Sequence, residues 1–257
     1  MKQSPKLKQS SKSISPRKLA QTHAGLTFVR RFQNALAKEK LLSRGSKIVV
    51  AVSGGPDSMT LLTLLARLRE KHAFTLRVVH INYELRGRDS DRDELLVQKV
   101  CEAYDVPLSV FYPKQKPTKN IEASLRDIRY QLFEQVRKEL RFHVIVTGHT
   151  MNDLVETFLL NLMRGSGPLG LSPFQRTHSH IVRPILHCTR SEIEAFIQHE
   201  DIPFRIDKSN FSKRFTRNRI RHELLPLLET FNPNIIATLS ETVVLLGRKT
   251  VSSSKKR

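Results

Sequence analysis

Apolar residues follow two different spacings along the first two thirds of the chain, and these spacings alternate. Continuous β-branched runs such as Lys47–Val52 are typical of strands that are buried on both faces. Apolar residues three or four positions apart, as at Leu96 and Val100, are typical of amphipathic helices. The strands predicted in this way are Lys47–Val52, Thr75–Ile81, Pro107–Tyr112 and His143–Gly148. The predicted helices are 26–42, Asp57–Glu70, Asp91–Tyr104, Ile121–Leu140 and Asn152–Met163.

The alternation of strands and helices predicts an α/β fold with a doubly wound parallel sheet. Sheets of this kind bind ligands beyond the carboxyl ends of their strands. Three loops follow such ends in this sequence, at 53–58, 80–90 and 148–153. We therefore expect the functional site to be built from these loops.

The pattern changes after Gly165–Pro168, and the rest of the chain is predicted to form a small helical domain. His180–Leu186 is predicted to be extended, and Ser191–Gln198 to be a helix in which Ser191 and Glu194 have the spacing of a capping box. Two more helices are predicted at 214–229 and 233–247. The predicted division is a disordered basic tail at 1–24, a sheet domain at 25–185, a helical domain at 186–247 and a basic tail at 248–257.

The charge of the chain indicates a polyanionic partner. The sequence has 44 Lys and Arg against 24 Asp and Glu, a net charge of +20. Nucleic acid is the first candidate for such a chain, and an anionic membrane surface is the second. A solvated basic surface with a charged tail is the alternative without a partner. The oligomeric state stays open, with a homodimer as one candidate.

The cysteines and the hydropathy of the chain limit the classes of protein to which it can belong. The two cysteines, Cys101 and Cys188, form no CxxC pair, which argues against a zinc ribbon or an iron–sulfur site and fits a reducing compartment. No apolar run reaches the roughly 20 residues that a membrane-spanning helix needs. We expect a soluble, cytoplasmic protein. The Ser-rich basic tail also fits an organelle transit peptide, which we keep as an alternative location.

The loop after the first predicted strand has the composition of a phosphate-binding loop. Its residues are Ser53, Gly54, Gly55, Pro56, Asp57 and Ser58. Two glycines let the backbone approach a ligand closely, and the N–H groups at the start of the next helix favour an anion. Asp57 can hold Mg²⁺ against the phosphates. The loop matches neither GxxxxGK[ST] nor GxGxxG, and an ordinary strand-to-helix turn requires neither its second glycine nor its Asp-Ser pair.

At these residues the sequence resembles the PP-loop ATP pyrophosphatases, whose sheet has the adenine nucleotide alpha hydrolase-like fold. The resemblance implies that ATP is cut between its α- and β-phosphates. It also implies that the loop holds the departing pyrophosphate while AMP is transferred to an oxygen of the substrate.

Further segments resemble one branch of this family, the tRNA(Ile)-lysidine synthetases, over about residues 26–235. The matching segments are His80–Gly87 with Ser90–Asp93, Asn120–Ala123 with Arg126, Arg129 and Tyr130, His149–Thr157 with Arg164–Gly167, and Asp207–Asn210 with Arg214–Pro226. The resemblance implies an ATP- and Mg²⁺-dependent ligase. It would join free lysine to C2 of the wobble cytidine of the tRNA(Ile) with a CAU anticodon, so that the anticodon reads AUA instead of AUG.

Two positions depart from the pattern of this branch. The branch usually has His where Tyr83 stands, and two consecutive acids where Asn152 and Asp153 stand. Asn152 keeps an oxygen ligand but loses a charge. We expect this change to weaken the binding of metal or lysine.

The residues assigned to the chemistry fall into three groups. The catalytic candidates are Asp57, Asp153 and Glu156. Asp153 and Glu156 are assigned to the recognition of the lysine amine, and Asp57 and Glu156 are also candidate Mg²⁺ ligands. ATP binding is assigned to residues 53–58 together with Arg126, Arg129 and His149. Binding of tRNA is assigned to Arg214, Arg217, Asn218 and Arg221.

Each group also has a purely structural alternative. His149, Asn152, Asp153 and Glu156 are spaced i, i+3, i+4 and i+7, so they share one side of a helix N-terminus, where the acids also complement the helix dipole. Arg126 and Arg129 also fit a solvated basic helix face. The arginines of 214–221 also fit a salt-bridged helix that packs on the sheet domain.

Two other functions remain open at the level of sequence. A PP-loop enzyme that thiolates tRNA uses the same loop, but it needs cysteine ligands for a cluster. A non-catalytic RNA-binding protein with a decayed ATP site is the alternative outside enzymes.

Overall fold

The computed structural model describes residues 23–114, 121–172, 177–207 and 215–254. Its helices are α1 (His23–Lys38), α2 (Pro56–His72), α3 (Arg88–Ala103), α4 (Ile121–Glu139), α5 (Met151–Met163), α6 (Arg190–Glu200), α7 (Thr216–Arg219), a π-helical turn (Ile220–Leu224), α8 (Leu225–Phe231) and α9 (Ile235–Ser254). Its strands are β1 (Lys47–Ala51), β2 (Thr75–Ile81), β3 (Leu108–Phe111), β4 (Val144–Val146), β5 (Thr177–His178) and β6 (Ile181–Val182).

The strands form one sheet in the order β3-β2-β1-β4-β6-β5. All neighbours are parallel except β5, which runs antiparallel to β6 at the edge. The chain winds from β1 outward through β2 and β3, and then returns to add β4 on the other side of β1. The predicted α/β class with a doubly wound parallel sheet is confirmed.

Both faces of the sheet are covered by helices, which is why β1 is apolar without interruption. Ile48 and Val50 pack in the cluster that contains the apolar side of α2. Val49, between them, packs in a second cluster with Phe133 and Val136 of α4. Alternate residues of a strand point to opposite faces, so a strand covered on both faces must be apolar at every position.

The last helices pack on α5. Leu154, Val155 and Phe158 of α5 share a third apolar cluster with Ile220 and Val243. A helical segment therefore covers the residues that follow β4. In this segment a π-helical turn joins α7 to α8, where the sequence predicts one regular helix at 214–229.

Helix α6 packs differently from the other helices of the C-terminal region. Its Ile193 and Phe196 lie in the same cluster as the sheet and α2, and Phe196 stacks on Phe28 of α1 with ring centroids 4.6 Å apart. This packing groups α6 with the sheet layer, while the boundary predicted near residue 185 stays a prediction.

The predicted capping box of α6 is wrong by two residues. Thr189, and not Ser191, is the N-cap, and it exchanges hydrogen bonds with Glu192, and not Glu194. The extended stretch predicted at His180–Leu186 forms a strand only at Ile181–Val182.

Several predictions lie outside the described residues. These are the disordered tail at 1–24 over its first 22 residues, the end of the C-terminal tail, and the assignment of Arg214. Within the described ranges, no helix is both long enough and apolar enough to cross a membrane.

Candidate active site

The loop between β1 and α2 is held in shape by its own serines. The hydroxyl of Ser58 accepts a hydrogen bond from the backbone N–H of Ser53 (3.2 Å) and donates one to the carbonyl of Gly55 (3.0 Å). Gly54 has a φ of +89°, which a residue with a Cβ rarely adopts. Gly55 is the N-cap residue of α2, and Pro56 occupies its first turn. The loop thus presents the N-terminus of a 17-residue helix, where backbone N–H groups favour an anion.

The loop after β4 touches this loop directly. A Cβ built on Gly148 would lie 3.1 Å from the backbone of Asp57 and Ser58, so only glycine fits there without displacement. Strands β1 and β4 are neighbours, but the next strand after β1 is added toward one edge of the sheet and the next strand after β4 toward the opposite edge. The two loops therefore meet at the topological switch point, where doubly wound sheets bind ligands.

Asp57 is the carboxyl at this meeting point. One of its oxygens, Oδ1, is buried and accepts no hydrogen bond within the described part of the chain. Burial, together with the negative charge of Asp153, raises the pKa of Asp57 to about 7. The positive charge of Arg190, at the start of α6, acts in the opposite direction. A buried carboxylate oxygen without a donor is what a cation would satisfy.

Strand β2 supports the loop through His80. This buried side chain contacts the carbonyl of Val52 through Nδ1 at 2.9 Å, just before the loop begins. Burial lowers the pKa of His80, so the ring is neutral at pH 7 and donates its N–H to that carbonyl.

Tyr83 joins the end of β2 to α4. Its hydroxyl donates to the carbonyl of Leu125 at 3.0 Å and lies 3.5 Å from Nε of Arg129. The tyrosine that departs from the family pattern therefore fixes one of the two arginines assigned to ATP.

The second arginine, Arg126, lies near enough to His149 for its charge to act on that ring. The guanidinium of Arg126 lies over the ring of Tyr130, 5.6 Å from its centroid. His149 is held by the hydroxyl of Thr147 at 2.8 Å. Burial is the main cause that lowers the pKa of His149 to about 4; the charge of Asp153 opposes this shift, and the charges of nearby arginines add to it. His149 is thus neutral at pH 7.

Arg183 also acts on His149, and it was missed by the sequence reasoning. It is buried, it hydrogen-bonds with Tyr130, and its positive charge contributes to the lowered pKa of His149. The signal in the sequence was its place directly after β6, because Val182 pairs with Val146 at the carboxyl end of β4.

Asp153 and Glu156 face the C-terminal helices, where two arginines bind them. Nε of Arg217 donates to Glu156 at 2.9 Å, and its Nη2 donates to Asp153 at 3.1 Å. Nε and Nη2 of Arg221 donate to the two oxygens of Glu156 at 2.6 and 2.8 Å. Glu156 is fully buried, and both its oxygens are taken by guanidinium groups.

This arrangement bears on three predicted roles. Arg217 and Arg221 do share one helix face, but that face points toward the sheet domain, in agreement with the structural alternative of a salt-bridged helix. Both oxygens of Glu156 accept hydrogen bonds from guanidinium groups, and its assignment to Mg²⁺ stays a prediction. Of the two Mg²⁺ candidates, Asp57 has a buried oxygen that accepts no hydrogen bond from the described residues.

Asp153 and Asn152 also shape the backbone. Asp153 forms a capping box with Thr150 at the start of α5. Although burial opposes its ionisation, the charge of Arg217 and the bond from Thr150 hold the pKa of Asp153 below its usual value. Asn152 accepts a hydrogen bond through Oδ1 from the backbone N–H of Arg190 at 2.9 Å. Asn152 therefore fastens α6 to α5.

The fold and the loop define the class of protein. The model of the PP-loop domain family matches residues 25–228, so the chain belongs to that family. Among curated proteins, the chain is 36% identical over 214 residues to the tRNA(Ile)-lysidine synthase of Clostridium tetani. The matched region covers 80% of this chain and 46% of that protein. It is 38% identical over 226 residues to the tRNA(Ile)-lysidine synthase of Porphyromonas gingivalis, covering 84% of this chain and 48% of that protein.

A solved structure shows the same fold. The U34-tRNA thiolase NcsA from Methanococcus maripaludis, solved with its 4Fe–4S cluster, superposes with a TM-score of 0.74 over 87% of this chain and 79% of that one. The sequences are 17% identical, so the likeness concerns the fold. This chain spans about half the length of the curated relatives it matches.

Proposed function

We propose that this chain carries the catalytic domain of a tRNA(Ile)-lysidine synthetase. It would use ATP to join lysine to C2 of the wobble cytidine of the tRNA(Ile) with a CAU anticodon. The observation that carries the proposal is the meeting of loop 53–58 with the His149–Glu156 segment at the switch point. They meet around a buried Asp57 oxygen that accepts no hydrogen bond from the described residues. The identity of more than a third to curated synthetases, over four fifths of the chain, supports this choice within the family.

The first step would activate the cytidine. The C2 oxygen of the base attacks the α-phosphorus of ATP, an O–P bond forms, and the bond to pyrophosphate breaks. Loop 53–58 fits the departing pyrophosphate through its N–H groups and serine hydroxyls. Arg126 and Arg183 supply positive charge at the carboxyl ends of β4 and β6, close to His149.

Mg²⁺ fits this site through a single protein ligand. Mg²⁺ in phosphate-transfer sites is commonly bound by one or two carboxylates together with the phosphates and water. The buried oxygen of Asp57 provides such a ligand. When bound, the ion would neutralise charge on the phosphates.

The second step would replace AMP by lysine. The lysine amine must lose its proton and attack C2, the C2–O bond breaks, and AMP leaves. Asp153 and Glu156 were assigned to this amine, and that assignment stays a prediction. Because both carboxylates already bind Arg217 and Arg221, the lysine ammonium has to share or displace one of these arginines.

The ion pairs also change the proposal for tRNA binding. The Nη1 groups of Arg217 and Arg221 take part in none of the hydrogen bonds to Asp153 and Glu156. We propose that these two arginines face the reacting nucleotide from the sheet side, and that contacts with the tRNA backbone come from exposed neighbours such as Arg219. A cytoplasmic location and a homodimer belong to the same set of proposals.

The cysteines do not favour tRNA thiolation. Both Cys101 and Cys188 are buried. Burial raises the pKa of the Cys101 thiol to about 12, which leaves little of the reactive thiolate at pH 7. A 4Fe–4S cluster is ordinarily held by cysteine thiolates, and the sequence contains two cysteines.

The proposal is tested by the dependence of ATP cleavage on its co-substrates. Release of pyrophosphate and AMP should require the cytidine-bearing tRNA(Ile), and AMP release should rise further with lysine. Asp57→Asn should abolish both while leaving tRNA binding unchanged. ATP cleavage that is indifferent to tRNA would contradict the proposal, and loss of tRNA affinity in the variant would contradict the role given to Asp57.

A further inference from the structure

The segment 202–207, which follows α6, is fastened to the outside of the phosphate loop. The backbone N–H of Arg205 donates to the carbonyl of Gly54 at 3.0 Å. The side chain of Arg205 donates through Nε to Asp93 at 2.5 Å and through Nη2 to Asp89 at 3.0 Å, both near the start of α3. Residues 54 and 205 are far apart in sequence, so this contact is a product of the tertiary fold.

Asp93 braces the loop from the same side. It lies against Gly54, since a Cβ built on Gly54 would be 3.6 Å from the Cβ of Asp93. Arg86 donates to the second oxygen of Asp93 at 2.7 Å and pairs with Asp207 at 3.2 Å. The side chain of Asp93 is 9% exposed, so its two arginine partners act in a largely desolvated position.

These contacts control the direction of one peptide unit. In a trans peptide the C=O and N–H point in opposite directions. With the Gly54 carbonyl held by Arg205, the N–H of Gly55 points to the other side of the loop, where it lies 3.4 Å from the hydroxyl of Ser53. The serine hydroxyls and the Gly55 N–H are therefore on one side, as an anion-binding concavity requires.

Without this hold, the peptide between Gly54 and Gly55 keeps only a long contact on its N–H side, the 3.4 Å hydrogen bond from Gly55 to the Ser53 hydroxyl. Neither residue has a Cβ, and glycine populates positive and negative φ with similar ease. A flipped peptide would direct the carbonyl oxygen, and not the N–H, toward the phosphates, and repulsion would replace a hydrogen bond. A Gly–Gly loop thus needs an external contact to stay in the orientation that receives an anion.

We propose that Arg205 is a positioning residue for the phosphate loop, holding the Gly54–Gly55 peptide with its N–H toward the nucleotide phosphates. The proposal rests on the proposed function only in taking ATP as the ligand of the loop. It extends the site to 202–207 and to Asp93, which bind no substrate themselves.

The test compares two substitutions at one position, Arg205→Ala and Arg205→Pro. Alanine removes the side chain but keeps the backbone N–H, whereas proline removes both. The φ at residue 205 is not positive, and proline also requires a negative φ. The full chain is titrated with ATP and, separately, with adenosine, and thermal unfolding of each variant is recorded.

We expect proline to weaken ATP binding by about tenfold or more, alanine by about threefold, and Arg205→Lys by less than alanine. Adenosine affinity should not change in any of them, because adenosine lacks the phosphates that the peptide receives. Arg137→Ala is the matched control: it removes a partly buried arginine that is bound bidentately by Glu134 at the far end of α4. It should leave the affinity for both ligands unchanged.

Asp93→Asn provides a second variant if the proline variant does not fold. It keeps the contact with Gly54 but weakens both arginine bonds, and it should lower ATP affinity about threefold with adenosine affinity unchanged. Equal losses for ATP and adenosine, or no loss of ATP affinity in the folded variants, would overturn the proposal. A wild-type chain that binds ATP but forms no lysidine would defeat the proposed function alone, whereas one that does not bind ATP would overturn both.

Discussion

Asp57 is a single carboxyl whose surroundings set both its protonation and its chemistry. Its Oδ1 is buried with no donor among the described residues, beside the charge of Asp153. Such a group destabilises the ligand-free protein and becomes useful when a cation or ligand donor arrives. Two predictions at the scale of the residue follow from this carboxyl and from its neighbour Glu156.

The first prediction concerns Asp57→Asn and pH. Burial raises the pKa of Asp57 from the ordinary 3.8 to about 7, so the folded protein binds this proton more tightly than the unfolded chain. The resulting stabilisation is complete below about pH 4 and is lost as pH rises through about 7. The variant has no such proton to lose. We compare the free energy of unfolding of the variant with that of wild type, without nucleotide or metal. The difference, variant minus wild type, should be a few kcal/mol larger at pH 8 than at pH 4. Urea unfolding at several pH values measures this, and a difference independent of pH would contradict it.

The second prediction concerns Glu156→Gln. Both arginines that bind Glu156 are largely desolvated, and removing its charge leaves Asp153 as the carboxylate that the two must share. We expect a loss of about 3–5 kcal/mol in the free energy of unfolding. Glu223→Gln is the control, since it breaks an exposed i,i+4 pair with Arg219 and should cost less than about 0.5 kcal/mol. Equal effects of the two substitutions would show that Glu156 is not the centre of a buried network.

The residue scale also shows what the sequence alone did not reveal. Asn152 was expected to act on metal or lysine through its lost charge, yet its side-chain oxygen binds the backbone of Arg190. An i, i+3, i+4, i+7 spacing identifies a shared helix side, but it does not tell which neighbour that side will meet. For Asp153 and Glu156 the neighbour is a pair of arginines more than 60 residues later in the chain.

At the scale of the element, the starts of α5 and α6 are built against each other. Both helices begin with a capping box, Thr150 with Asp153 and Thr189 with Glu192. Two cross-links join them: Asn152 to Arg190, and the N–H of Met151 to the carbonyl of Cys188. These links fix the first turn of α6 beside Asp57.

A third prediction tests this junction through Asn152. Asn152→Asp keeps the acceptor oxygen and should leave the free energy of unfolding within about 0.5 kcal/mol of wild type. Asn152→Ala removes the acceptor of the partly buried N–H of Arg190 and should cost about 1–2 kcal/mol. Thermal unfolding of both variants measures the difference. Equal stability of the alanine and aspartate variants would show that the bond contributes nothing.

The same junction explains why the cap of α6 was placed two residues too late. Thr189–Glu192 and Ser191–Glu194 both have the capping spacing, so local sequence cannot choose between them. The choice is made by the contacts of Arg190 and Cys188 with α5, which only the tertiary fold provides. Most helices and strands were predicted to within a few residues, because hydrophobic periodicity is a local property. The exceptions are the edge strand β5, which was not predicted, and α9, which continues to Ser254 where a tail was predicted after residue 247.

At the scale of the whole molecule, the site draws on segments that the sheet topology brings together. Arg183 reaches it because β6 lies beside β4, and Arg205 because 202–207 crosses the phosphate loop. Neither residue belongs to a motif that can be read locally, and both were missed. Residues 53–58 and 148–153 were found because each follows a strand whose carboxyl end could be placed from the alternation alone.

The net charge of +20 leads to a fourth prediction, at this same scale. Affinity for tRNA should fall steeply and linearly on a logarithmic salt scale, because phosphate contacts release counterions. Arg219 is an exposed arginine of the C-terminal helices, and Arg219→Ala should reduce the slope by about one. Filter binding between about 50 and 200 mM salt measures the slope. An affinity insensitive to salt would contradict the role given to the basic surface.

The central claim is that this site joins lysine to a tRNA cytidine, and the product is its most direct test. The chain is incubated with ATP, Mg²⁺, lysine and the cytidine-bearing tRNA(Ile), the tRNA is digested, and its nucleosides are analysed by mass spectrometry. We predict that cytidine at the wobble position is converted to lysidine, that omission of ATP or lysine prevents the conversion, and that Asp57→Asn forms none. An unmodified wobble cytidine, under conditions in which a curated synthetase converts it, would contradict the account.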